Sequence, residues 1–387
     1  MSKIEDLIKQ YCPDGVEWKT VGECVRILDG QRKPITKAAR VAGKYPYYGA
    51  NGVQDYVADY IFNGIYVLIG EDGSVVTPEG HPIVHWVEGK IWVNNHAHVV
   101  EEIQGVSLRY FFYAISNCNV SNLIHGNIPK LNQSDFKAIM IPVPHIAVQD
   151  EIVRILDKFT ELEKELEKEL ELRRKQYEFY RDKLLTFDGG VEWKKLGEIM
   201  TIQRGASPRP ILKYITEDSN GVNWIKIGDT SVDSKYVVSC AEKITQEGAK
   251  KSRFLKAGSF ILSNSMSFGR PYILKIDGCI HDGWISMTDF ENVITPDFLY
   301  HVLMSSVIQY EMRQKASNGG AVSNLNSDIV KSIEIPIPSP TEQERIVKIL
   351  DKFDILTTNL TSGLPAEIKL RHQQYEYYRD YLFGLLK

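Results

Sequence analysis

The chain of 387 residues has little of several things, and each shortage removes a class of protein. Its five cysteines, Cys12, Cys24, Cys118, Cys240 and Cys279, contain no C-x-x-C pair, which argues against a zinc ribbon and a disulfide framework. No run approaches the roughly eighteen apolar residues of a membrane span, and Met1-Ser2-Lys3-Ile4-Glu5-Asp6 lacks the apolar core of a signal peptide. A soluble, unexported, cytoplasmic protein with no membrane partner is expected. No G-x-x-x-x-G-K-[ST] occurs and no G-x-G-x-x-G follows a strand-like run, so nucleotide phosphates have no evident cradle. The glycine motif and Asn/Asp-Pro-Pro-aromatic loop of a DNA amino-methyltransferase are also missing. Net charge is small, 46 Lys and Arg against 50 Asp and Glu, giving −4. Indiscriminate polyanion binding over the whole surface is excluded, so any nucleic-acid site must come from local clusters of Lys and Arg.

What the chain has is duplication. Val16-Glu17-Trp18-Lys19 followed by Val21-Gly22-Glu23 returns 175 positions later as Val191-Glu192-Trp193-Lys194 followed by Leu196-Gly197-Glu198. Leu131-Asn132, Pro142-x-Pro144, Gln149 and Ile155-Leu156-Asp157-Lys158-Phe159 return 194 positions later as Leu325-Asn326, Pro336-x-Pro338, Gln343 and Ile349-Leu350-Asp351-Lys352-Phe353. Gln176-Tyr177-Glu178 and Tyr180-Arg181-Asp182 return 198 positions later at Gln374 and Tyr378, so the second copy has gained four residues. The period is one domain plus a connector, too long for a solenoid. Between the framed segments, about residues 27 to 127 and 202 to 320, no long run of letters matches. Each filling has β-rich runs and then an aromatic helical stretch, with Leu108 to Tyr113 set against Phe298 to Leu303.

The connectors read as long helices. From Val148 to Leu184 apolar residues recur at steps of three and four, through Ile152, Ile155, Phe159, Leu162, Leu166, Leu170, Tyr177 and Tyr180, the seam of a coiled coil. The second copy opens with Ser339-Pro340-Thr341-Glu342, a capping box with Pro at the first helical position. It runs through Ile346, Ile349, Phe353, Leu356 and Leu360 and is expected to break at Gly363-Leu364-Pro365. Two matching helices in one chain favour an internal pair over homodimerisation, and two-fold symmetry makes them antiparallel. Ile4, Leu7, Ile8 and Tyr11 imitate the end of a connector, so the last helix is expected to lie beside them. The fold class is α+β: two globular mixed α/β domains separated by two long antiparallel helices in a coiled coil, with pseudo-two-fold symmetry. The expected bounds are 1–145 and 187–338 for the domains and 146–186 and 339–387 for the connectors.

Catalytic signals are sparse. Asp14, Glu17 and Lys19 follow the letters of a metal-dependent nuclease, but their spacing in a Pro-Gly turn fits a helix stop. His81, His85, His96 and His98 have metal-like spacings without a counterpart in the second half. Binding signals are richer. Gln31, Arg32 and Lys33, with Lys37, Arg40 and Lys44, precede Tyr45 to Asn51, which includes Tyr47; Asn95, His96 and His98 follow at a strand edge. In the other half Gln203, Arg204, Arg209, Lys251 and Arg253 stand with Ser263, Asn264, Ser265, Ser267 and Arg270. Cations for phosphates beside amides and hydroxyls for base edges are what sequence-specific duplex binding requires. These are the candidate DNA contacts. The candidate helix-pairing or docking residues are Ile155, Phe159, Leu162, Leu166, Tyr177, Tyr180, Ile349, Phe353, Leu356, Tyr375 and Tyr378. No residue is assigned to catalysis or to a metal.

Two different domains, each opened by Gly-Val-Glu-Trp-Lys and closed by Ile-Pro-x-Pro, a Gln and Ile-Leu-Asp-Lys-Phe, resemble the specificity subunit (HsdS) family of type I restriction-modification systems across essentially the whole chain. Tyr45 to Asn51, Ile69 to Gly73 and Trp224 to Asp229 are similar to stretches of that family's target-recognition domains. The resemblance implies a non-catalytic DNA-binding subunit. Each recognition domain reads one half of a split, asymmetric double-stranded DNA site, and the helices dock two methyltransferase subunits. A restriction/translocase subunit then joins. S-adenosylmethionine, ATP and Mg are implied for those partners and no cofactor for this chain. The alternatives are the same subunit in a solitary or fused-type methyltransferase system, or a coiled-coil adaptor binding proteins or glycans.

Overall fold

The computed structural model describes residues 2–73, 75–124, 128–231, 234–264, 268–317, 324–359 and 361–387. Ser265, Ser267 and Leu360 lie outside them. The chain forms two compact units, one from residues 1–164 and 370–387, the other from 165–369. The division falls inside the helix Ile146–Leu184, so each unit takes the first part of one connector and the last part of the other.

The repeated letters make the same bonds in each unit. In the first, strand Glu17–Thr20 runs antiparallel to Met140–Val143 with Trp18 opposite Pro142; in the second, Glu192–Lys195 pairs with Glu334–Ile337, with Trp193 opposite Pro336. Both first strands leave a glycine with positive φ, Gly15 (99°) and Gly190 (73°), a backbone state that a Cβ disfavours. One turn of helix follows, and the repeated glutamate folds back to accept from a backbone N–H, Glu23 from Thr20 at 2.8 Å and Glu198 from Lys195 at 3.2 Å. Asn132 and Asn326 cap the next repeated helices, accepting from the Asp135 N–H and from the Asp328 and Ile329 N–H groups.

Gln149 and Gln343 are fully buried clamps. The Gln149 carbonyl accepts from the Ser107 N–H at 3.0 Å while its amide donates to Gly105 and Pro144. Gln343 does the same with Thr295, Val293 and Pro338. Each clamp ties a connector's first turn to the N-cap of the domain's aromatic helix, Leu108–Ser116 or Pro296–Met304. The caps Ser107 and Thr295 therefore correspond, which corrects the alignment of Leu108 with Phe298: Leu108 matches Pro296, and Tyr113 matches His301. The repeated aspartates then find equivalent partners. Asp157 accepts from Tyr113 at 2.5 Å and Arg109 at 2.7 Å, and Asp351 accepts from His301 at 2.8 Å and Lys235 at 3.3 Å.

The fillings share more than their letters show. The first unit has a six-stranded sheet in the order Val25–Ile27, Ala97–Glu102, Phe62–Gly70, Val84–Val93, Ala42–Gly49, Gly52–Val57. The second has two five-stranded sheets, one of which begins Thr201–Arg204, Trp284–Thr288, Phe260–Ser263. Those three strands repeat the first three of the other unit in antiparallel order and register: Gly70 faces Ala97 as Ser263 faces Trp284. The bonds beyond them also repeat, Glu71 N–H to His96 O as Asn264 N–H to Gly283 O, and Leu131 N–H to Glu71 O as Leu325 N–H to Asn264 O. Backbone pairing fixes this register and tolerates any apolar side chain that fits the face, so the letters have drifted.

The helices largely follow the sequence reading. The first connector spans Ile146–Leu184, 39 residues. In the first unit it lies against Leu364–Gly384: Phe159 stacks on Tyr378 at 5.1 Å and Glu163 meets His372 at 3.1 Å, numbers that run in opposite directions, as in an antiparallel pair. In the second unit Tyr177 and Tyr180 stack on Phe353. The other connector is interrupted as expected, between Thr358 and Leu364. A Cβ on Gly363 would stand 2.5 Å from the Ile355 carbonyl oxygen, so only glycine fits there. Ser339 caps as expected, but Glu342 does not complete a capping box, because Arg345 holds its carboxylate at 2.7 and 2.8 Å. The buried member of the Ile-Leu-Asp-Lys-Phe repeat is Leu156 or Leu350, whereas Ile155 and Ile349 stay half-buried. There the helix packs on its own domain's core. The helix Ser2–Tyr11 shares that core with Leu382, Phe383 and Leu386, and Tyr381 donates to Glu5 at 3.2 Å.

Candidate nucleic-acid interface

In each unit the shared three strands end at a turn with the same internal bond. In the first, the Asn94 side chain accepts from the His96 N–H at 2.8 Å; in the second, His281 Nδ1 accepts from the Gly283 N–H at 2.9 Å. Asn94-Asn95-His96 thus corresponds to His281-Asp282-Gly283. An arginine braces the middle carbonyl of each, Arg32 on Asn95 at 3.4 Å and Arg204 on Asp282 at 2.9 Å.

Around the second turn the expected residues converge. Asp282 Oδ1 accepts from Ser207 at 2.9 Å and lies 2.9 Å from His281 Nε2, while Oδ2 lies 3.4 Å from Arg209. The Asn264 amide donates to the Asp282 carbonyl at 3.2 Å. Partial burial opposes ionisation of Asp282, but Ser207, His281 and Arg204 outweigh it and hold the carboxyl below its usual range, so it is an anion at neutral pH. His281 and Asp282 line a cleft of about 760 Å³ whose other walls include Arg209, Leu212, Trp224 and Lys226. Arg209 is 83% exposed and brings a cation to the same opening. Gln203 and Arg204 are exposed, and Arg253 is half-buried, bonded to Gln203 and to the Arg204 carbonyl. Exposed Lys251 pairs with Glu247 and Tyr214 and is pushed up to about 12 by those partners. Arg270 is half-buried, over the Tyr272 ring.

The first unit separates presenting residues from structural ones. Gln31, Lys33, Asn51 and Asn95 are exposed, and His96 is partly exposed beside Asp72. Asn51, His96 and Lys130 line a cleft of about 530 Å³. Tyr47, His98 and Arg32 need correction, as does Asn264 in the other unit. Tyr47 is buried, its hydroxyl bonded to the Ile35 backbone. His98 is fully buried, stacked on Phe136, with Nδ1 at Asp29 and Nε2 at the Leu131 carbonyl. Arg32 is 12% exposed and tied to Glu71 and the Ala97 carbonyl. Asn264 is 8% exposed and spends its amide on the backbone. These four shape the turns and do not present side chains to a ligand.

Asp29, Glu71 and His98 are the one group of three metal-capable side chains among the described residues, and the Arg32 guanidinium already fills the cation's place there. Burial opposes ionisation of Asp29, but bonds from His98 and Gln133 prevail and lower its pKa. His81 and His85 face the Cys118 and Ala50 carbonyls, away from that group. Asp14 sits in an exposed turn, and Glu17 pairs with Lys19 at 3.1 Å. No described helix is long and apolar enough to cross a membrane.

Sequence reasoning missed His281, Asp282 and Ser207. The only signal was positional: a polar triplet before the buried run Trp284-Ile285-Ser286-Met287, as Asn94-Asn95-His96 precedes Ala97-His98-Val99-Val100.

On the connectors, Phe159, Leu162, Tyr375, Tyr378, Phe353 and Leu356 are half-buried and Leu166 and Tyr177 buried, while Tyr180 remains 37% exposed. Tyr177 meets His301 Nδ1 at 3.0 Å, and burial lowers the His301 pKa. Phe179 and Tyr377, one repeat apart, are 61% and 65% exposed.

One frame carrying two unlike polar turns defines a doubled protein whose two halves differ where they are most polar. The sequence profile of the Type I restriction modification DNA specificity domain matches twice, over residues 13–172 and 189–370, and the chain belongs to that family. It is similar to a putative type I restriction enzyme specificity subunit of Haemophilus influenzae, 37% identical over 95% of both chains. The specificity subunit of an Escherichia coli type I restriction enzyme is 36% identical over 72% of this chain and 71% of its own. Among solved structures, the S subunit of a type I restriction-modification system from M. genitalium covers 96% of both chains with a TM-score of 0.53, and a structure concerned with complex assembly and conformational transition of the type I system covers 97% of both with 0.55. Both are 16% identical and establish the shared fold. The chain is a DNA-recognition subunit of a type I restriction-modification system and not an enzyme.

Proposed function

We propose that this subunit reads a bipartite, asymmetric DNA site, with residues 1–145 and 187–338 each reading one half, and that the connectors 146–186 and 339–387 dock two methyltransferase subunits. The observation that carries this reading is the division between what repeats and what does not. Frame bonds recur residue for residue, from Gln149 and Gln343 to Asp157 and Asp351, while the corresponding turns differ, Asn94-Asn95-His96 against His281-Asp282-Gly283. Different turns suit different half-sites, and equal frames suit two equal partners. The equally exposed aromatics Phe179 and Tyr377, and likewise Trp18 and Trp193 at 42% and 48%, support two like docking places.

Methyl transfer from S-adenosylmethionine belongs to the docked subunits, and ATP- and Mg-dependent translocation and cleavage to a restriction/translocase subunit that joins them. This chain supplies position: exposed cations such as Lys33 and Arg209 contact phosphates, and the turns face base edges. The test is a footprint of the complex with its methyltransferase partner. Protection of two short, dissimilar segments separated by a fixed gap is expected. No DNA affinity at low salt, where phosphate contacts are strongest, would instead favour a protein-binding adaptor.

A further inference from the structure

The turn His281-Asp282-Gly283 does more than fit the proposed DNA-reading role, on which the following rests. Asp282 is braced at its backbone carbonyl by Arg204 and Asn264 and at one carboxylate oxygen by the Ser207 hydroxyl, with His281 Nε2 2.9 Å from the same oxygen. His281 Nδ1 accepts from the Gly283 N–H, which fixes the ring in that position. Among the described residues, the other oxygen has only the long contact to the exposed Arg209. A carboxylate immobilised through one oxygen, with the second facing an open cleft, is prepared to accept a hydrogen bond from a ligand. The side chain is 27% exposed, so that bond needs no rearrangement of the fold.

We propose that Asp282 is a specificity-determining residue, accepting from the exocyclic amino group of a cytosine in the half-site read by the second unit. The chemistry selects the base. Carboxylate oxygens only accept, and in the major groove cytosine offers an amino donor with no acceptor beside it, whereas guanine and thymine offer acceptors that repel a carboxylate. Adenine sets N7 next to its amino group, an arrangement suited to a carboxamide that both gives and accepts. Such a carboxamide stands at the corresponding position of the first unit, the exposed Asn95. One position thus carries complementary chemistry in the two halves. Arg209, drawn off to a phosphate, frees the second oxygen for the base.

The experiment is sequence selection from random duplexes by the full chain assembled with its methyltransferase partner, for wild type, Asp282→Asn and Ser207→Ala. Wild type should select a two-part motif with a cytosine specified in one half. Asp282→Asn should relax that single position by about tenfold or more, or turn it toward adenine, and leave every other position and the other half unchanged. Ser207→Ala, which loosens the carboxylate without removing it, should weaken binding and keep the same base. Absence of any motif from wild type overturns the DNA-reading function itself. A wild-type motif that Asp282→Asn leaves intact overturns this assignment alone. So does degradation of the whole half-site by Asp282→Asn, which would make Asp282 a structural brace.

Discussion

Single residues decide which repeated letters are frame and which are surface. Gln149 and Gln343 recur because each makes three hydrogen bonds out of reach of water. Gln149→Leu keeps most of the volume and strands the Ser107 N–H with two carbonyls, so a cost of about 2–3 kcal/mol is expected in urea unfolding, with base preference unchanged. Glu151 gives a pH test. Arg154, with help from Lys3 and against the effect of burial, holds its carboxyl down to about 2 from an ordinary 4.5. A depressed carboxylate pKa stabilises the fold fully above about 4.5, and that contribution is lost as pH falls toward about 2. The unfolding midpoint of Glu151→Gln should therefore lie below wild type at neutral pH, and the difference should shrink through acidic pH. A constant difference would show that the bonds matter only through packing. Histidine was the least legible residue type: His98 read as a surface candidate and His301 was not singled out, yet both are buried and bonded at both ring nitrogens.

At the level of elements, the connectors were legible as helices and the framing segments as a repeat, though not as strands; their letters recur with their pairings, as when Trp18 faces Pro142 and Trp193 faces Pro336. The common three-stranded core was not, since its register rests on backbone bonds that leave no fixed letters behind. The correspondence of Asn95 with Asp282 was hidden for the same reason. The helix seam was half-legible: the three-and-four rhythm located the helix, but Leu156 and Leu350 are the members buried in the domain cores, while Ile155 packs only at the margin of its core and Ile349 stays half-buried. The long helix also makes a prediction of its own. At about 1.5 Å per residue, deleting Glu167 to Leu170 shortens it by about 6 Å. If the connector spaces the half-sites, the gap in the selected DNA should change by one or two base pairs, at about 3.4 Å each. An unchanged gap would mean that the helix does not set the spacing.

On the scale of the molecule, each unit is assembled from parts distant in sequence. The first takes residues 370–387, most of the last helix, and the second takes the end of the first connector, so each unit combines pieces of both connectors. The proposed function gives assembly to the repeated parts and recognition to the unrepeated ones. The most direct test replaces residues 187–338 with the equivalent segment of a relative and sequences the DNA selected by the assembled complex. The account predicts that one half of the site changes to that of the donor while the other half and the gap persist. A site that changes in both halves, or does not change at all, would contradict it.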